Sequence, residues 1–432
     1  METGTGVNGH KTNCARRLGS AGNLDPRNRG VAFGSEVYSG GLSGSNYANA
    51  ISDSVQIISH SYGWGCSSNS TTYSGTSQNY DNLIRNNPSF MISFSAGNVG
   101  GSDCYAGVAG YGNVTGVQKM GKNMCIIGSV VHTDALAGFS SRGPAKDGRI
   151  LPTVCSPGIG GTSYASPNFS GVFTILNHAY RYHNMGAIPN SGLLKSVIMN
   201  SADDMLNPGP DFMTGYGKVN ARRAYDIIRL GQYEEADIAQ GGINTHQINV
   251  PANVKQVKVM VYWVDWEAVA GITTRTIVND LDIVLEDPAM QSYQPWVLNP
   301  TFGQVTLSDT AVRATDTLNN VEQVTILDPI PGTYELTVTG ALVPQGPQQY
   351  FVSYDFIYDD IVVIHPHGSE KFVSGGEETI RWDAFGNTTS FDLLYSIDDG
   401  VTWDTIVSDL DSNMRPVSYT HLEPTRQLQI SY

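Results

Sequence analysis

The sequence contains few charged residues and no long apolar run. Asp, Glu, Lys and Arg make up 15% of its 432 residues, and 40 acidic against 25 basic side chains give a net charge of −15. Nucleic acids and anionic membranes attract basic surfaces, so this balance argues against both as partners. No apolar segment reaches the roughly 20 residues of a membrane-spanning helix. The chain is rich in glycine, with 47, and is therefore suited to turns and polar surface.

Apolar runs alternate with helical segments over the first half of the chain. Such alternation is typical of a parallel β-sheet whose two faces are covered by helices. Near residue 232 the helical periodicity stops, and strand-like runs separated by turn residues follow. The pattern predicts strands at 55–58, 90–94 and 125–131, helices at 163–183, 191–202 and 219–230, and further strands from 257–263 onward.

The heptapeptide Gly-Thr-Ser-Tyr-Ala-Ser-Pro, residues 161–167, places Ser163 at a glycine-led turn before a predicted helix. An N–H group at a helix N-terminus favours a developing oxyanion. Serine is a weak nucleophile, so a catalytic role also requires a base and a second oxyanion donor. Taken alone, a segment of this kind is far more often an ordinary N-capping serine or threonine at a helix start.

Two further segments offer the missing groups. His10 lies in Gly-His-Lys-Thr-Asn, residues 9–13, at another predicted loop-to-helix junction. Ser-Ala-Gly-Asn, residues 95–98, follows the apolar run 90–94 and so leaves the end of a predicted buried strand. A histidine can act as the base, and an asparagine side chain can donate to an oxyanion.

Together these segments resemble the subtilisin-like serine proteases, the subtilases. The family's serine block is Gly-Thr-Ser-Met-Ala-Ser-Pro, so Tyr164 is the one difference in residues 161–167. Its histidine block, His-Gly-Thr-Asn in one form, matches residues 10–13 at three of four positions. Its Ala-Ala-Gly-Asn block matches residues 95–98 equally well, and the blocks occur in the family's order over roughly residues 1–230.

The order of the segments separates this resemblance from other serine hydrolases. An α/β-hydrolase has a Gly-x-Ser-x-Gly elbow with the histidine after the serine, whereas here Ala165 stands in the last elbow position and His10 comes first. A chymotrypsin-like fold also has the histidine first, but it is all β. The helical pattern after Ser163 excludes it.

The resemblance implies an α/β fold, namely a subtilisin-like three-layer domain with a parallel sheet, followed by all-β sandwich domains. It implies a secreted or cell-surface endopeptidase that acts on protein or peptide substrates as a monomer. Ser163 would attack the scissile carbonyl, His10 would transfer the proton, and Asn98 with the Ser163 N–H would hold the oxyanion. This chemistry requires no cofactor.

Two segments resemble the walls of the family's primary substrate pocket. An extended peptide would pair with them by strand addition. His60, beside the first segment, is interpreted as structural rather than catalytic. The first segment is Ser61, Tyr62 and Gly63, and the second is Ser95, Ala96 and Gly97.

Several positions depart from the family pattern. The family's catalytic aspartate lies on a strand before the histidine, but residues 1–9 contain no aspartate, so we expect an N-terminally incomplete gene product of low activity. Lys11, Arg16 and Arg17 replace glycine or apolar residues, and the two arginines are expected to be buried in a central helix. The segment that leads into the serine turn is also shorter than in the family. These departures leave two alternatives open, a pseudoprotease scaffold and a surface adhesion or glycan-binding protein.

The five cysteines cannot all form pairs. Cys66 and Cys104 follow the two wall segments, and if the two strands are neighbours a disulfide between them is geometrically feasible. Cys125 and Cys155 lie in apolar runs and are interpreted as buried free thiols. No Cys/His spacing indicates a zinc site.

The second half of the chain resembles β modules that accompany secreted enzymes. Asn-Asp-Leu-Asp, residues 279–282, and Pro-Gly-Thr-Tyr, residues 331–334, resemble the jelly-roll, or P-domain-like, barrel of some subtilases and convertases. Such barrels can bind structural calcium, for which Asp280 and Asp282 are candidates. Solvated turn carboxylates are the equally supported alternative. Residues 394–403 resemble an immunoglobulin-like module.

Three domains are therefore predicted. The catalytic domain covers residues 1–231, the β-sandwich residues 232–358, and a partial immunoglobulin-like module residues 359–432. Within this module, residues from about 415 to 432 lose the strand pattern and are predicted to be a non-native tail.

Overall fold

The chain forms a parallel α/β part followed by antiparallel β-sheets, which confirms the predicted fold class. The last helix of the α/β part ends at Leu230, and the first antiparallel strand begins at Tyr233. The computed structural model describes residues 9–25, 28–40, 44–63, 65–67, 71–366, 375–385, 390–396, 398, 400–411, 416–420 and 427–431.

The parallel sheet of the α/β part consists of β1 (Ile57–His60), β2 (Met91–Ser95), β3 (Cys125–Val130) and β4 (Val154–Pro157), in that order. Every residue of β2 and β3 is buried, as expected for strands covered by helices on both faces. His60 at the end of β1 pairs with Phe94 of β2. The two strands therefore end at the same edge of the sheet, and the loops that begin at Ser61 and Ala96 start side by side.

Helix α4 (Thr162–His183) contacts all four strands of this sheet. Twelve of its 22 residues are buried, including Phe169 and Phe173. A buried Ser93 hydroxyl in the sheet also contacts the Ser170 hydroxyl of the helix at 2.8 Å. Apolar burial of this extent fixes the helix on the sheet. The other helices of the part are α1 (Gly9–Gly19), α2 (Gly44–Ser52), α3 (Gly75–Asn86), α5 (Ser191–Asn200) and α6 (Ala221–Leu230).

Helix α1 differs from the prediction that it is buried. None of its residues is buried, although it packs against α4. Arg16 is exposed, and the guanidinium of Arg17 lies over the Tyr164 ring, 4.6 Å from its centroid. The expected burial of two arginines is therefore wrong. Because Arg16 is exposed and Arg17 is only partly buried, neither guanidinium group loses all of its hydration, which an apolar core would remove at high cost.

The strands of the antiparallel part form two four-stranded sheets and a short ribbon, with one short helix, α7 (Gln304–Ser308). The strands are β5 (Tyr233–Ile238), β6 (Ile243–Val250), β7 (Val254–Trp263), β8 (Asp280–Glu286), β9 (Ser292–Tyr293), β10 (Trp296–Val297), β11 (Val312–Arg313), β12 (Val321–Leu327), β13 (Gly332–Leu342) and β14 (Gln348–Tyr358). The first sheet has the order β12-β7-β14-β5, the second β6-β13-β8-β9, and β10 pairs with β11.

Strand β7 contributes to two apolar cores, because successive side chains of a strand point to opposite faces. Met260 and Tyr262 belong to the core of the α/β part, whereas Val259 and Val261 belong to the core between the two antiparallel sheets. One face of the sandwich thus packs directly on the α/β part. The predicted boundary at residues 231 and 232 falls between α6 and β5 and stays a prediction.

A third group of strands has a small core of its own, built on Trp382, Phe391 and Leu393. Residues 416–420 and 427–431, inside the predicted tail, are paired as strands, so the strand pattern continues there. Whether the tail is native stays a prediction, and its residues 415, 421–426 and 432 lie outside the described residues. The strands are β15 (Ile361–His365), β16 (Glu377–Ala384), β17 (Ser390–Ser396), β18 (Asp404–Asp411), β19 (Pro416–Thr420) and β20 (Gln427–Ser431).

None of the helices in the described part of the chain is both long and apolar enough to cross a membrane. This finding agrees with the absence of a long apolar run in the sequence.

Candidate active site

Ser163 lies in the first turn of α4, directly after a turn that only glycine adopts readily. Gly161 has φ 149° and ψ 153°, a backbone conformation that is strained for residues with a Cβ atom. A Cβ at Gly161 would also lie 3.3 Å from Asn98 Nδ2. The Ser163 hydroxyl donates to the Ser61 carbonyl at 3.4 Å, and the Ser61 hydroxyl donates to the Ser163 carbonyl at 2.7 Å. The loop after β1 therefore holds the serine turn in place.

His10 lies in the first turn of α1, and its side chain is exposed. Its Nε2 atom is 3.1 Å from the Ser61 carbonyl oxygen, the same atom that accepts from the Ser163 hydroxyl. Because one oxygen contacts both side chains, the fold brings His10 and Ser163 together although 153 residues separate them in sequence. The Tyr164 ring lies beside the imidazole, with 5.9 Å between the ring centroids.

Asn98 follows β2 and is oriented by the first residue of α4. Its Oδ1 accepts from Thr162 N and Thr162 Oγ1, both at 2.9 Å. Thr162 Oγ1 in turn accepts from Gly97 N at 3.1 Å. With the amide oxygen engaged, Nδ2 is the group with which Asn98 can donate to a ligand. Within the described residues the Ser163 N–H makes no hydrogen bond, so two donors are available at this helix N-terminus.

The two predicted wall segments lie side by side, at the ends of β1 and β2. The ring of Tyr62 packs against His60 and Phe94, with centroid distances of 5.3 and 5.4 Å. Gly63 is exposed, whereas Ala96 is buried. The fold places Ser61, Tyr62 and Gly63 after β1, and Ser95, Ala96 and Gly97 at the end of β2.

A buried lysine lies between the wall segments, and the sequence analysis missed it. Lys119 is 2% exposed, and its ammonium donates to the Ala96 carbonyl at 3.1 Å. A Cβ atom at Gly63 would lie 2.8 Å from Lys119 Nζ, and one at Gly97 would lie 3.9 Å away. Burial lowers the pKa of Lys119 to about 8. The short helical turn that holds it, Val117–Lys119, matches none of the sequence motifs.

Two other residues of the site were also missed. Thr162 orients Asn98, as described above. Cys14 lies one helical turn after His10, with its Sγ 3.8 Å from His10 Nε2, and it donates to the Ser163 carbonyl at 3.3 Å. Burial raises the pKa of the Cys14 thiol. The spacing of four residues on one helix could have indicated this neighbour of His10.

The calcium candidates lie on β8, away from the serine turn. Asp280 Oδ2 accepts from Arg275 at 2.6 Å, and burial, with the nearby carboxylates, raises the pKa of Asp280 to about 6. Burial also raises the pKa values of Asp282 and of Glu322, whose Oε2 accepts from Ile283 N at 2.8 Å. In the part of the chain that the structure describes, no group of three or more His, Cys, Asp or Glu side chains is placed to hold a metal ion.

Two of the five cysteines form a disulfide, and the other three are free thiols. Cys66 and Cys104 are joined by a disulfide, with their Cα atoms 5.2 Å apart. Cys125 and Cys155 are buried free thiols, and Cys14 is a partly buried one. The disulfide links the loop after the first wall segment to the loop that follows Asn98.

These elements agree with a comparison to known protein families. The model of the subtilase family, Peptidase_S8, matches residues 2–217, which is half of the chain. The chain therefore belongs to the subtilase family. This membership supports a serine peptidase function.

Individual relatives are distant and longer. The serine protease/ABC transporter B family protein tagA of Dictyostelium discoideum is 22% identical over 267 residues, which cover 50% of this chain and 15% of that protein. Pyrolysin of Pyrococcus furiosus is 31% identical over 117 residues, covering 22% of this chain and 8% of pyrolysin. Among solved structures, the chain is similar to fervidolysin from Fervidobacterium pennivorans, a keratinolytic enzyme related to subtilisin. The match has 15% sequence identity and a TM-score of 0.31, and it covers 87% of this chain and 52% of the fervidolysin chain. The chain thus spans a small part of the two curated relatives.

Proposed function

We propose that this chain carries the catalytic site of a secreted serine endopeptidase. Ser163 is the nucleophile, His10 is the general base and acid, and Asn98 with the Ser163 N–H forms the oxyanion hole. The proposal rests above all on one observation, the contact of both His10 Nε2 and Ser163 Oγ with the Ser61 carbonyl oxygen. Membership of the subtilase family supports it independently.

The proposed reaction has two stages. Ser163 Oγ attacks the scissile carbonyl carbon while His10 Nε2 takes the hydroxyl proton, and the resulting oxyanion accepts hydrogen bonds from Asn98 Nδ2 and the Ser163 N–H. The C–N bond then breaks, and His10 returns the proton to the leaving amine. Water attacks the acyl-serine in the second stage, with His10 again acting as base. This releases the carboxylate product and restores the serine.

Two requirements follow for an active site of this kind. The Ser163 hydroxyl has to turn from the Ser61 carbonyl to His10 Nε2, a short movement because both atoms lie near the same oxygen. Loose hydrogen bonds of this sort are common before substrate binds. His10 also requires a carboxylate partner to hold its tautomer, which is worth about 10⁴-fold in a triad. The family's aspartate in this role stays a prediction.

Fluorophosphonate labelling of the full gene product tests the assignment. The probe esterifies an activated serine and releases fluoride, so label is expected on Ser163, identified by mass spectrometry of the peptide. Ser163→Ala should abolish labelling, whereas Ser292→Ala, at an exposed serine of the β-sandwich, should leave it unchanged. A folded gene product without label at Ser163 would contradict the proposed function. That outcome would favour the pseudoprotease scaffold, the alternative that retains the fold without the chemistry.

The same proposal includes two further statements, that the protein is exported and that its substrates are polypeptides. A disulfide between Cys66 and Cys104 supports an oxidising compartment, where such bonds persist. We expect unfolded or extended polypeptides as substrates, because the two wall segments lie at the ends of neighbouring strands. Nothing in the described residues favours the adhesion or glycan-binding alternative.

Structural calcium stays a prediction for Asp280 and Asp282. The unpaired carboxyl oxygens of Asp280 and Asp282 support it. The contact of Asp280 with Arg275 opposes it, as does the lack of three metal-ligating side chains placed together in the described part of the chain. Thermal unfolding with calcium and with a chelator tests the point. A melting temperature that is equal in both conditions would contradict a calcium role.

A further inference from the structure

Lys119 is a buried cation with little to balance its charge. An ammonium group has three N–H donors, and the one hydrogen bond that Lys119 Nζ makes within the described residues is to the Ala96 carbonyl. No carboxylate of the described residues forms an ion pair with it. Burial is the single cause of its lowered pKa, which at about 8 still leaves the group charged at neutral pH. A buried charge of this kind is costly unless something pairs with it.

The three other nearly fully buried lysines among the described residues are better compensated. Lys122 forms a buried ion pair with Asp265. Lys195 donates to the carbonyls of residues 122–124 at 3.1, 3.3 and 2.9 Å. Lys258 donates to a backbone carbonyl, and the negative charge of the nearby Asp355 stabilises its ammonium group. Lys119 is therefore the exception that calls for an explanation.

The position of Lys119 relates it to the candidate active site. Its ammonium is bonded to the carbonyl of Ala96, two residues before Asn98, and lies against Gly63, two residues after Ser61. Ala96 contacts the ammonium through its backbone carbonyl, and neither Gly63 nor Gly97 carries a side chain that could cover it. A peptide whose carbonyl oxygen accepts from Asn98 Nδ2 carries the side chain of that same residue only two bonds from the carbonyl carbon. Under the proposed function, that side chain would lie between the wall segments, close to the Lys119 ammonium.

We propose that Lys119 determines substrate specificity by pairing its ammonium with the carboxylate of an aspartate or glutamate side chain, at the residue whose carbonyl is cleaved. The inference rests on the proposed function for the position of the scissile carbonyl. The substrate class is then polypeptides cleaved after acidic residues.

The chemistry favours a carboxylate over other side chains. A carboxylate offers both acceptors and the opposite charge, and a charge-assisted hydrogen bond is about twice as strong as a neutral one. A glutamine side chain offers an acceptor without the charge. A leucine side chain would cover the ammonium and leave it unpaired, and sites with buried polar groups reject such ligands strongly. The expected order of affinity is therefore glutamate, glutamine, leucine.

Peptide binding to the Ser163→Ala form of the full chain tests this order without any need for catalysis. Three fluorescent peptides of equal length, which differ only in a central Glu, Gln or Leu, are titrated and followed by anisotropy. We expect the Glu peptide to bind at least about tenfold more tightly than the Gln peptide, and more tightly still than the Leu peptide. Equal binding of all three, or binding of none to the folded chain, would overturn the proposal.

Variants at Lys119 sharpen the test. Lys119→Met keeps an unbranched side chain but removes the charge, so the preference should change from Glu to Leu. Lys119→Arg keeps the charge and should retain a Glu preference. Lys146→Met, at an exposed lysine, is the matched control and should leave all three affinities unchanged. Should Lys119→Met fail to fold, the ratio of Glu to Gln affinity in the chain with Lys119 intact decides.

Cleavage assays with Ser163 present separate this proposal from the proposed function. A Glu preference in binding without any cleavage by the full gene product would overturn the peptidase assignment and support the role of Lys119. Cleavage after leucine, together with equal binding of the Glu and Leu peptides, would support the peptidase and overturn the role of Lys119.

Discussion

The two halves of the candidate site are held by very different structures. Ser163 lies in the first turn of α4, a helix with twelve buried residues that contacts every strand of the parallel sheet. His10 lies in the first turn of α1, a helix without a buried residue. The proposed nucleophile is thus positioned by the apolar core, whereas the proposed base contacts the Ser61 carbonyl from a helix that is attached at its surface.

This difference shows where the site is sensitive to change. A helix fixed by apolar burial keeps its geometry as long as the core is intact. A helix attached at its surface depends on individual contacts, each of which contributes little to stability. We therefore expect core substitutions to affect stability, and substitutions on α1 to affect the base more than the fold.

The largest expected effect comes from truncating the core of α4. Phe173→Ala removes a fully buried aromatic side chain and should lower the free energy of unfolding by about 3–5 kcal/mol, measured by urea denaturation. Leu18→Ala on α1, where the side chain is only partly buried, should cost less than about 1.5 kcal/mol. Equal losses for the two variants would abolish the contrast between the helices.

Removing the oxyanion donor should affect rate rather than stability. Asn98→Ala deletes an exposed side chain whose Nδ2 is the proposed donor, so kcat for peptide cleavage should fall about 10²- to 10³-fold. Gln78→Ala, at a polar side chain outside the site, is the control and should leave kcat unchanged. A fall of less than threefold for Asn98→Ala would exclude the residue from the oxyanion hole.

The stability of the folded chain should also depend on pH through His60, which lies on the buried side of the site. Its Nε2 contacts the Tyr47 hydroxyl at 2.7 Å, and burial lowers its pKa to about 4 from an ordinary value of 6.5. Between these two values the unfolded chain binds a proton that the folded chain does not, so stability falls as the pH is lowered from about 6.5 to about 4. The contribution is about 3 kcal/mol at most.

Urea denaturation across this pH range checks the prediction. His60→Gln should flatten the decline relative to the unchanged chain, although it should also lower stability at neutral pH. His132→Gln, at an exposed histidine, should leave the decline as it is. An unaltered pH dependence in His60→Gln would show that other groups cause it.

The smallest expected effect concerns the contact between α1 and the first turn of α4. Arg17→Ala removes the guanidinium stacked on Tyr164, an interaction worth about 0.5–1 kcal/mol at a partly exposed site. Stability of the whole chain should change by no more than that. The kcat/KM for peptide cleavage should fall by a larger factor than this loss of stability alone would cause, because the same helix positions His10. Unchanged kcat/KM in Arg17→Ala would show that α1 does not depend on this contact.

The sequence was sufficient to predict three strands of the parallel sheet, its three last helices and the following β-sheets, because apolar runs and turn residues indicate which segments are buried. Helices α2 and α3 and strand β4 were not among the predicted spans. The motif at residues 161–167 also predicted the helix start at the serine turn. The burial of α1 could not be predicted correctly, because a family pattern does not show how Arg16 and Arg17 are solvated. Lys119 and Thr162 were missed for a related reason. Their roles depend on contacts with residues far away in the sequence, such as Ala96 and Asn98.

Hydrogen exchange of the backbone amides of α1 and α4 in one sample tests the central contrast most directly. Amides in packed cores exchange through large unfolding events, whereas those of surface-attached helices exchange through local opening. We predict that amides in the middle of α4 exchange at least about 100-fold more slowly than those of α1. Equal protection of the two helices would contradict the account, because the proposed base would then be held as firmly as the proposed nucleophile.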